Sequence, residues 1–452
     1  MNRHVPPLLF AGLPVCLVSA SSLRAEPLLA GVAKVEITHP DHPAKENPPM
    51  ARALVLSQGG VHAAIVAIDA VAVAEIGSIR DPFLAELRAA LQKDPGIAPE
   101  SLVVNASHCH AVVAPDVAAR TIRAVTEAWR NRVPVKSGAG VGREDTIMEN
   151  RRLKLKNGKE ADVRHAYALP FDDEVAAMGP IDPEIGLLRF DRIDDGRPLA
   201  AVFQFAVHPI MGRPDGGNGA DLTGHAAATI EANLGDGTAT ALFLQGCGGD
   251  SKPSVIARGD RFIVGGLEEV AAAGSMLANE VLGVLDAGLQ PIAPRLHSRT
   301  LEMEWPLEPV KAREEYVALG AGGQPETLAR DVPRLWAQRQ VERLDRGETL
   351  PQAATITVHG LQLGDGLRLV GLEGEAVMAY GAQIERAFGG GLTVPMGYCN
   401  GQGLYLVTSE QLDEGGMEAN SFYEYSWPAR LAKGMEPILD ATLERLRRAG
   451  VG

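Results

Sequence analysis

Asn105-Ala106-Ser107-His108-Cys109-His110 follows directly on the apolar run Leu102-Val103-Val104. The short, β-branched run predicts a buried strand, and the polar hexapeptide then stands at the strand end, where side chains are held rigidly but can still reach a ligand. In extended backbone, residues i and i+2 leave the same face. His108 and His110 are therefore expected to project together, with Cys109 turned away. Two imidazoles converging in this way make half a metal site; a hydrogen-bonded pair at a strand end has the same sequence. By the rise of a strand the two are roughly 6–7 Å apart along the chain, so one ion touches both only if the strand bends.

Working outward, the same pattern of a buried strand ending in a polar group recurs. Residues 201–207, Ala-Val-Phe-Gln-Phe-Ala-Val, are apolar on both faces and end at His208-Pro209. Leu242-Phe243-Leu244-Gln245 runs into Gly246-Cys247-Gly248-Gly249-Asp250, where small residues allow close approach of backbone N–H groups and Asp250 is the polar end-point. Residues 367–372 end in Glu373-Gly374-Glu375, and residues 404–408 read Leu-Tyr-Leu-Val-Thr around Tyr405. Asp69 closes another apolar strand, as a site residue or as a helix cap. Of the adjacent pair Arg151-Arg152, one arginine can point inward and clamp a carbonyl or carboxylate with its planar donor fork.

These strands are interleaved with helices. Residues 28–38, 52–57 and 62–69 read as strands, the last two joined at Gly59-Gly60. Residues 80–92 carry Phe83, Leu84, Leu87 and Leu91 at helical spacing and lead back to the strand before His108, which predicts a crossover unit. Residues 120–130, 226–233, 261–285, 376–388 and 427–448 are further predicted helices, and 181–190 with 200–207 a hairpin around Asp194-Asp195-Gly196. Residues 305–350 are patterned as a helical excursion. The expectation is α/β with mixed sheets.

Residues 1–25 read as an export signal: Arg3 and His4, a short apolar run broken by prolines, then a small-residue cleavage region. The run is too short to cross a membrane, and no later stretch approaches 18 uninterrupted apolar residues, so no stable membrane insertion is expected. Cleavage removes two arginines and takes the formal charge from −14 to −16, which argues against nucleic acid or an anionic membrane as partner. It also removes Cys16 and leaves Cys109, Cys247 and Cys399, hence at least one free thiol and no disulfide scaffold. Residues 26–452 are expected to form a single large domain, since no linker or repeat interrupts them.

Taken in order, residues 30–38 (Ala-Gly-Val-Ala-Lys-Val-Glu-Ile-Thr), Ser107-His108-Cys109-His110, Asn150-Arg151, Phe205-Ala206-Val207-His208, Gly249-Asp250, Gly374-Glu375 and Tyr405-Leu406-Val407-Thr408 resemble the neutral, non-lysosomal ceramidase family. The resemblance spans most of residues 26–452 and implies an αββα-type layered catalytic domain. It also implies a zinc amidohydrolase acting on a small-molecule or lipid-like substrate. On it, His108, His208, Glu375 and Tyr405 become the zinc ligands, His110 an acid/base or carbonyl-contacting neighbour, Arg151 a substrate contact, and Asp250 part of the catalytic set. Two imidazoles and a carboxylate leave room for metal-activated water; Tyr405 is alternatively a hydrogen-bond donor to the transition state.

The chain departs from the family in three ways. Lys252 stands where the family carries a serine, Met417 stands where it carries a tyrosine, and the immunoglobulin-like C-terminal domain has no counterpart. An ester, lactone or glycosidic bond cleaved at the same site, or a non-enzymatic binding protein with a vestigial site, are the competing readings.

Overall fold

The computed structural model describes residues 26–452 except 75, 81, 159, 163–171, 212–217, 255, 259–260, 264, 322–327 and 402. The proposed export signal, residues 1–25, lies outside the described residues. Eight strands form a continuous path: β1 (Leu29–Glu36), β2 (Met50–Gln58), β3 (Val61–Ile68), β4 (Leu102–Ala106), β5 (Val133–Arg143), β6 (Glu184–Arg192), β7 (Pro198–Phe205) and β8 (Thr240–Gln245). Their order is β8-β7-β6-β5-β1-β2-β3-β4, and a ninth strand, β9 (Gln290–Ile292), pairs with β5. A second sheet has the order β10 (Pro294–Pro306), β11 (Ala353–Gly364), β12 (Leu367–Leu372), β13 (Leu392–Met396).

Three strand pairs, β3 with β4, β7 with β8, and β12 with β13, are parallel. Each needs a crossover, and helices supply it: α1 (Pro82–Lys93) between β3 and β4, α3 (Asp221–Asn233) between β7 and β8, and α7 (Met378–Phe388) between β12 and β13. The remaining helices used below are α2 (Val117–Arg130), α4 (Leu267–Ala287), α5 (Arg313–Gly320), α6 (Leu328–Asp345), α8 (Ser409–Glu414) and α9 (Met435–Arg448).

The period-2 pattern shows which faces meet. Leu54, Leu56, Ile65 and Val103 share an inner core with Leu188, Val202, Leu242 and Leu244, and with Leu369, Val394 and Met396 of the second sheet. The alternate positions face outward under helices. Val55, Val66 and Val104 lie under α1 and α2; Leu187, Phe203 and Phe243 lie under α3 and α4; Val358, Val370 and Leu372 lie under α7 and α9. Both faces of the central strands are buried, which is why they read as nearly continuous apolar runs. The result is the expected αββα layering.

Helix α4 has the length and composition to span a membrane. It buries Val270, Leu277, Val281 and Leu285 against α3 and the sheet. It begins six residues later than the periodicity suggests, because Arg261–Ile263 pairs as a strand with Ile256–Arg258. Helices α5 and α6 occupy the expected excursion. They are anchored to the C-terminal segment, where Tyr316 Oη donates to Pro428 O (2.7 Å) and Trp336 Nε1 to Trp427 O (2.6 Å).

The two outermost strands of the large sheet, β4 and β8, are far apart in strand order yet are clasped by one side chain. Asn105 Oδ1 accepts from Gln245 N (2.7 Å), and its Nδ2 donates to Gln245 O (3.2 Å) and to Gly397 O (2.8 Å). This amide satisfies backbone groups of two other strand ends at once. It thereby brings together the segments that carry His108, the Gly248-Gly249 turn and Glu375.

Candidate metal centre

The expectation of extended backbone through His110 is corrected by the structure. Strand β4 ends at Ala106, and His108 has a φ of +67° in the left-handed region. That conformation costs a non-glycine residue about 1–3 kcal/mol and persists only where the surroundings enforce it. Here Ser107 N donates to Ile68 O and His108 N to Ala70 O, each at 3.0 Å. The bend buries His108 and leaves His110 exposed, while bringing both rings to one place.

The ligand nitrogens of His108, His110 and His208 all lie within 4.8 Å of one another. The ring centroids of His108 and His208 are 4.5 Å apart. His108 Nδ1 donates to Val71 O (2.7 Å), which makes Nε2 the lone-pair nitrogen and turns it toward Glu375 Oε2 at 3.3 Å. His208 Nδ1 is likewise set against Gly248 O (3.3 Å). Carbonyl partners of this kind fix the tautomer and orientation of metal-ligating histidines. Burial holds the His208 imidazole well below its usual pKa, and His108, Arg151 and His110 push it further the same way. It is neutral at physiological pH, as a ligand must be.

Glu375 and Tyr405 are neighbours through a short parallel bridge, Glu375–Ala376 with Tyr405–Leu406. Gly374 precedes it at φ +108°, where a Cβ would meet Leu404 O at 2.8 Å, so only glycine permits this close approach. Tyr425 Oη donates to Glu375 Oε1. Burial, with Glu375 beside it, pushes the Tyr405 phenol well above its usual pKa.

Arg151 and Asp250, both expected in the catalytic set, are held by groups of their own chain. Arg151 is buried, with Nε on Glu418 Oε1 (2.6 Å) and a terminal nitrogen on Gly249 O (2.6 Å). Its guanidinium carbon lies 5.5 Å from the centre of the Tyr405 ring, so it backs that tyrosine. The Asp250 carboxylate accepts from Met378 N (2.9 Å), Asn150 Nδ2 (3.1 Å) and Gln411 Nε2 (3.0 Å). Donors of its own chain hold the Asp250 carboxylate in place. Asp69 similarly serves Met50 N and Arg52.

Lys252 is buried, with Nζ 2.6 Å from Glu149 Oε2. Met417 is half-buried against the α7 and α9 core. Cys109, Cys247 and Cys399 are buried free thiols whose pKa burial raises, that of Cys399 to about 12, so none supplies a thiolate ligand at neutral pH.

A small cleft of about 40 Å³, continuous with solvent, opens beside His110 between Asn47, Ile210, Asp221 and Leu267. His110 is the member of the cluster that lines it. Tyr425 and Glu418 belong to the site's surroundings and do not follow the strand-end pattern. Tyr425 and Glu418 lie in the irregular stretch after α8, where hydrophobic periodicity carries no signal.

Comparison with known proteins agrees with this architecture. The chain aligns with the structure of neutral ceramidase from Pseudomonas aeruginosa at a TM-score of 0.64, covering 93% of this chain and 75% of that one. It has the neutral ceramidase fold. A second structure, a ceramidase complexed with C2, aligns at a TM-score of 0.66 over 94% of this chain and 76% of that one. Identity is 16% in both cases, so the shared property is the fold. No family model matches the chain, and neither does any curated protein.

Proposed function

We propose that this chain is an exported, zinc-dependent hydrolase that cleaves the amide bond of a small-molecule or lipid-like N-acyl substrate. The observation that carries the reading is the convergence of His108, His208 and Glu375 from three separate strand ends, in the fold of an amide-cleaving enzyme. The donor set, neutral imidazoles with carbonyl-fixed tautomers and a buried carboxylate, fits a borderline-soft divalent ion. Of the four residues the resemblance assigns to the ion, His108 and His208 through Nε2 and Glu375 would hold it, with Tyr405 beside them as a donor. When bound, zinc supplies Lewis acidity, polarising a carbonyl and lowering the pKa of water.

The chain's own residues do the rest. His110 faces the cleft and moves a proton between the attacking water and the leaving amine. Tyr405, backed by Arg151, donates toward charge developing on the carbonyl oxygen. Tyr425 holds the Glu375 carboxylate in one orientation. Purified protein, metal-stripped and reloaded with zinc, should hydrolyse N-acyl substrates in preference to esters and glycosides. A second reading, the same centre acting on an ester, lactone or glycosidic bond, is favoured by Lys252, whose ion pair with Glu149 replaces a serine hydroxyl. Turnover confined to esters or glycosides would select it.

Two substitutions separate the roles. His110→Ala should keep near-stoichiometric zinc while turnover falls by about 10²–10⁴-fold, the usual worth of a positioned acid/base. The bend at His108 also brings His110 within chelating reach, so loss of zinc in this variant would make His110 a ligand instead. Glu375→Gln keeps side-chain size and the Tyr425 contact but removes the charge. Its unfolding midpoint without metal should match the parent while zinc affinity drops; unchanged affinity with a collapsed fold would make Glu375 a structural carboxylate.

A further inference from the structure

Tyr398 stands against the proposed centre with no part in the chemistry above. It lies two residues past β13 at φ +56°, again in the left-handed region. Its N–H donates to Gly374 O (2.8 Å), and its carbonyl accepts from Ala106 N (3.1 Å). It is therefore wedged between the strand that delivers His108 and the residue preceding Glu375. Its ring centroid is 4.7 Å from that of His108, with the planes tilted by 42°. The side chain is fully buried, and its hydroxyl has no hydrogen-bond partner among the described residues.

A buried hydroxyl without a partner is uncommon enough to need a reason. Packing does not supply one, because phenylalanine would place the same ring against His108 without the cost of desolvating an O–H. The surroundings are polar: Glu375 is the leading electrostatic influence on the phenol after burial itself, followed by Tyr405 and Arg151. The hydroxyl thus lies within the field of the residues assigned to hold the ion.

We propose that Tyr398 is a positioning residue of the metal centre, whose hydroxyl gains its hydrogen-bond partner only when the centre is loaded. It then favours the loaded over the empty protein. This rests on the metal reading above. Its thermodynamic consequence is specific, since removing the hydroxyl relieves a desolvation cost in the empty protein and removes a contact from the loaded one.

Thermal unfolding of the full chain and of Tyr398→Phe, each metal-stripped and then titrated with Zn²⁺, tests it. The metal-free variant should be at least as stable as the parent, while its zinc affinity falls about tenfold, the lower end of what outer partners of metal ligands are worth. Tyr398→Leu, which also loses the ring, should be less stable with and without zinc, which separates packing from the hydroxyl. Equal zinc affinity in the parent and Tyr398→Phe would overturn the assignment alone. So would a metal-free Phe variant less stable than the parent. A parent that does not respond to zinc would overturn the metal reading and this inference together.

Discussion

His208→Ala should remove bound metal and activity together. His208 contributes an imidazole that burial keeps neutral and that Gly248 O orients. No water-filled truncation reproduces that donor. Losing an outer hydrogen-bond partner of a metal ligand costs about 10–100-fold in affinity or activity, and losing the ligand itself should exceed this range. His225 lies 17 residues on and is not a spare, since both of its ring nitrogens already have partners, Nδ1 3.3 Å from Asn47 and Nε2 3.1 Å from Ser275 Oγ. Metal analysis should fall from about one ion per chain to nearly none. The zinc-dependent rise in unfolding temperature, worth about 2.7 kcal/mol at a hundredfold excess over Kd, should vanish. A variant that still takes up one zinc and turns over substrate would remove His208 from the centre.

Much of this centre was legible because the sequence repeats one device, a buried strand that stops at a polar residue. His108, His208 and Glu375 were each found that way, and the structure brings all three to one place. The layering was legible for a related reason. Leu54, Val55 and Leu56 can all be apolar only if both sheet faces are covered, and the crossover helices α1, α3 and α7 do the covering on the outside.

What stayed hidden depends on backbone that departs from its local preference. Nothing in Ser107-His108-Cys109 announces a left-handed residue, since histidine adopts that conformation only when the chain around it, here Ile68 and Ala70, takes up its N–H groups. Reading the segment as extended separated His108 from His110 and made chelation by both look remote. Asn105 opens the hexapeptide, and spacing alone gives it no role. Its amide joins strands 140 residues apart, and such a partner cannot be inferred from spacing. Arg151 reads in the sequence as an inward-pointing clamp, but its carboxylate partner does not. Burial of a charged group is visible in sequence context, whereas the partner that neutralises it, 267 residues away in the case of Glu418, is not.

That partner carries the largest expected effect on stability. Glu418 is buried and receives Arg151 Nε at 2.6 Å and Arg152 at 2.8 Å, so one carboxylate neutralises two buried guanidinium groups. Arg152 has a second carboxylate, Glu414 at 2.9 Å, whereas Arg151 otherwise donates to the Gly249 carbonyl. Breaking a buried pair by removing one partner costs about 3–5 kcal/mol, because the remaining charge is left without compensation. Glu418→Gln should lower stability by that amount in denaturant unfolding, and activity with it, because Arg151 fixes the Gly249 turn and backs Tyr405. The pH dependence gives an independent check. Burial alone would raise the Glu418 pKa, but Arg151 and Arg152 outweigh it and hold the carboxyl below its usual value. A depressed folded-state pKa contributes stability that is fully present above the unfolded value of about 4.3 and is lost as pH falls through the folded one. The parent should therefore lose this increment only in acid, and the difference between parent and Glu418→Gln should shrink as the pH is lowered below about 4.3. A gap under about 1 kcal/mol at neutral pH, typical of an exposed pair, would show that the two arginines find compensation elsewhere.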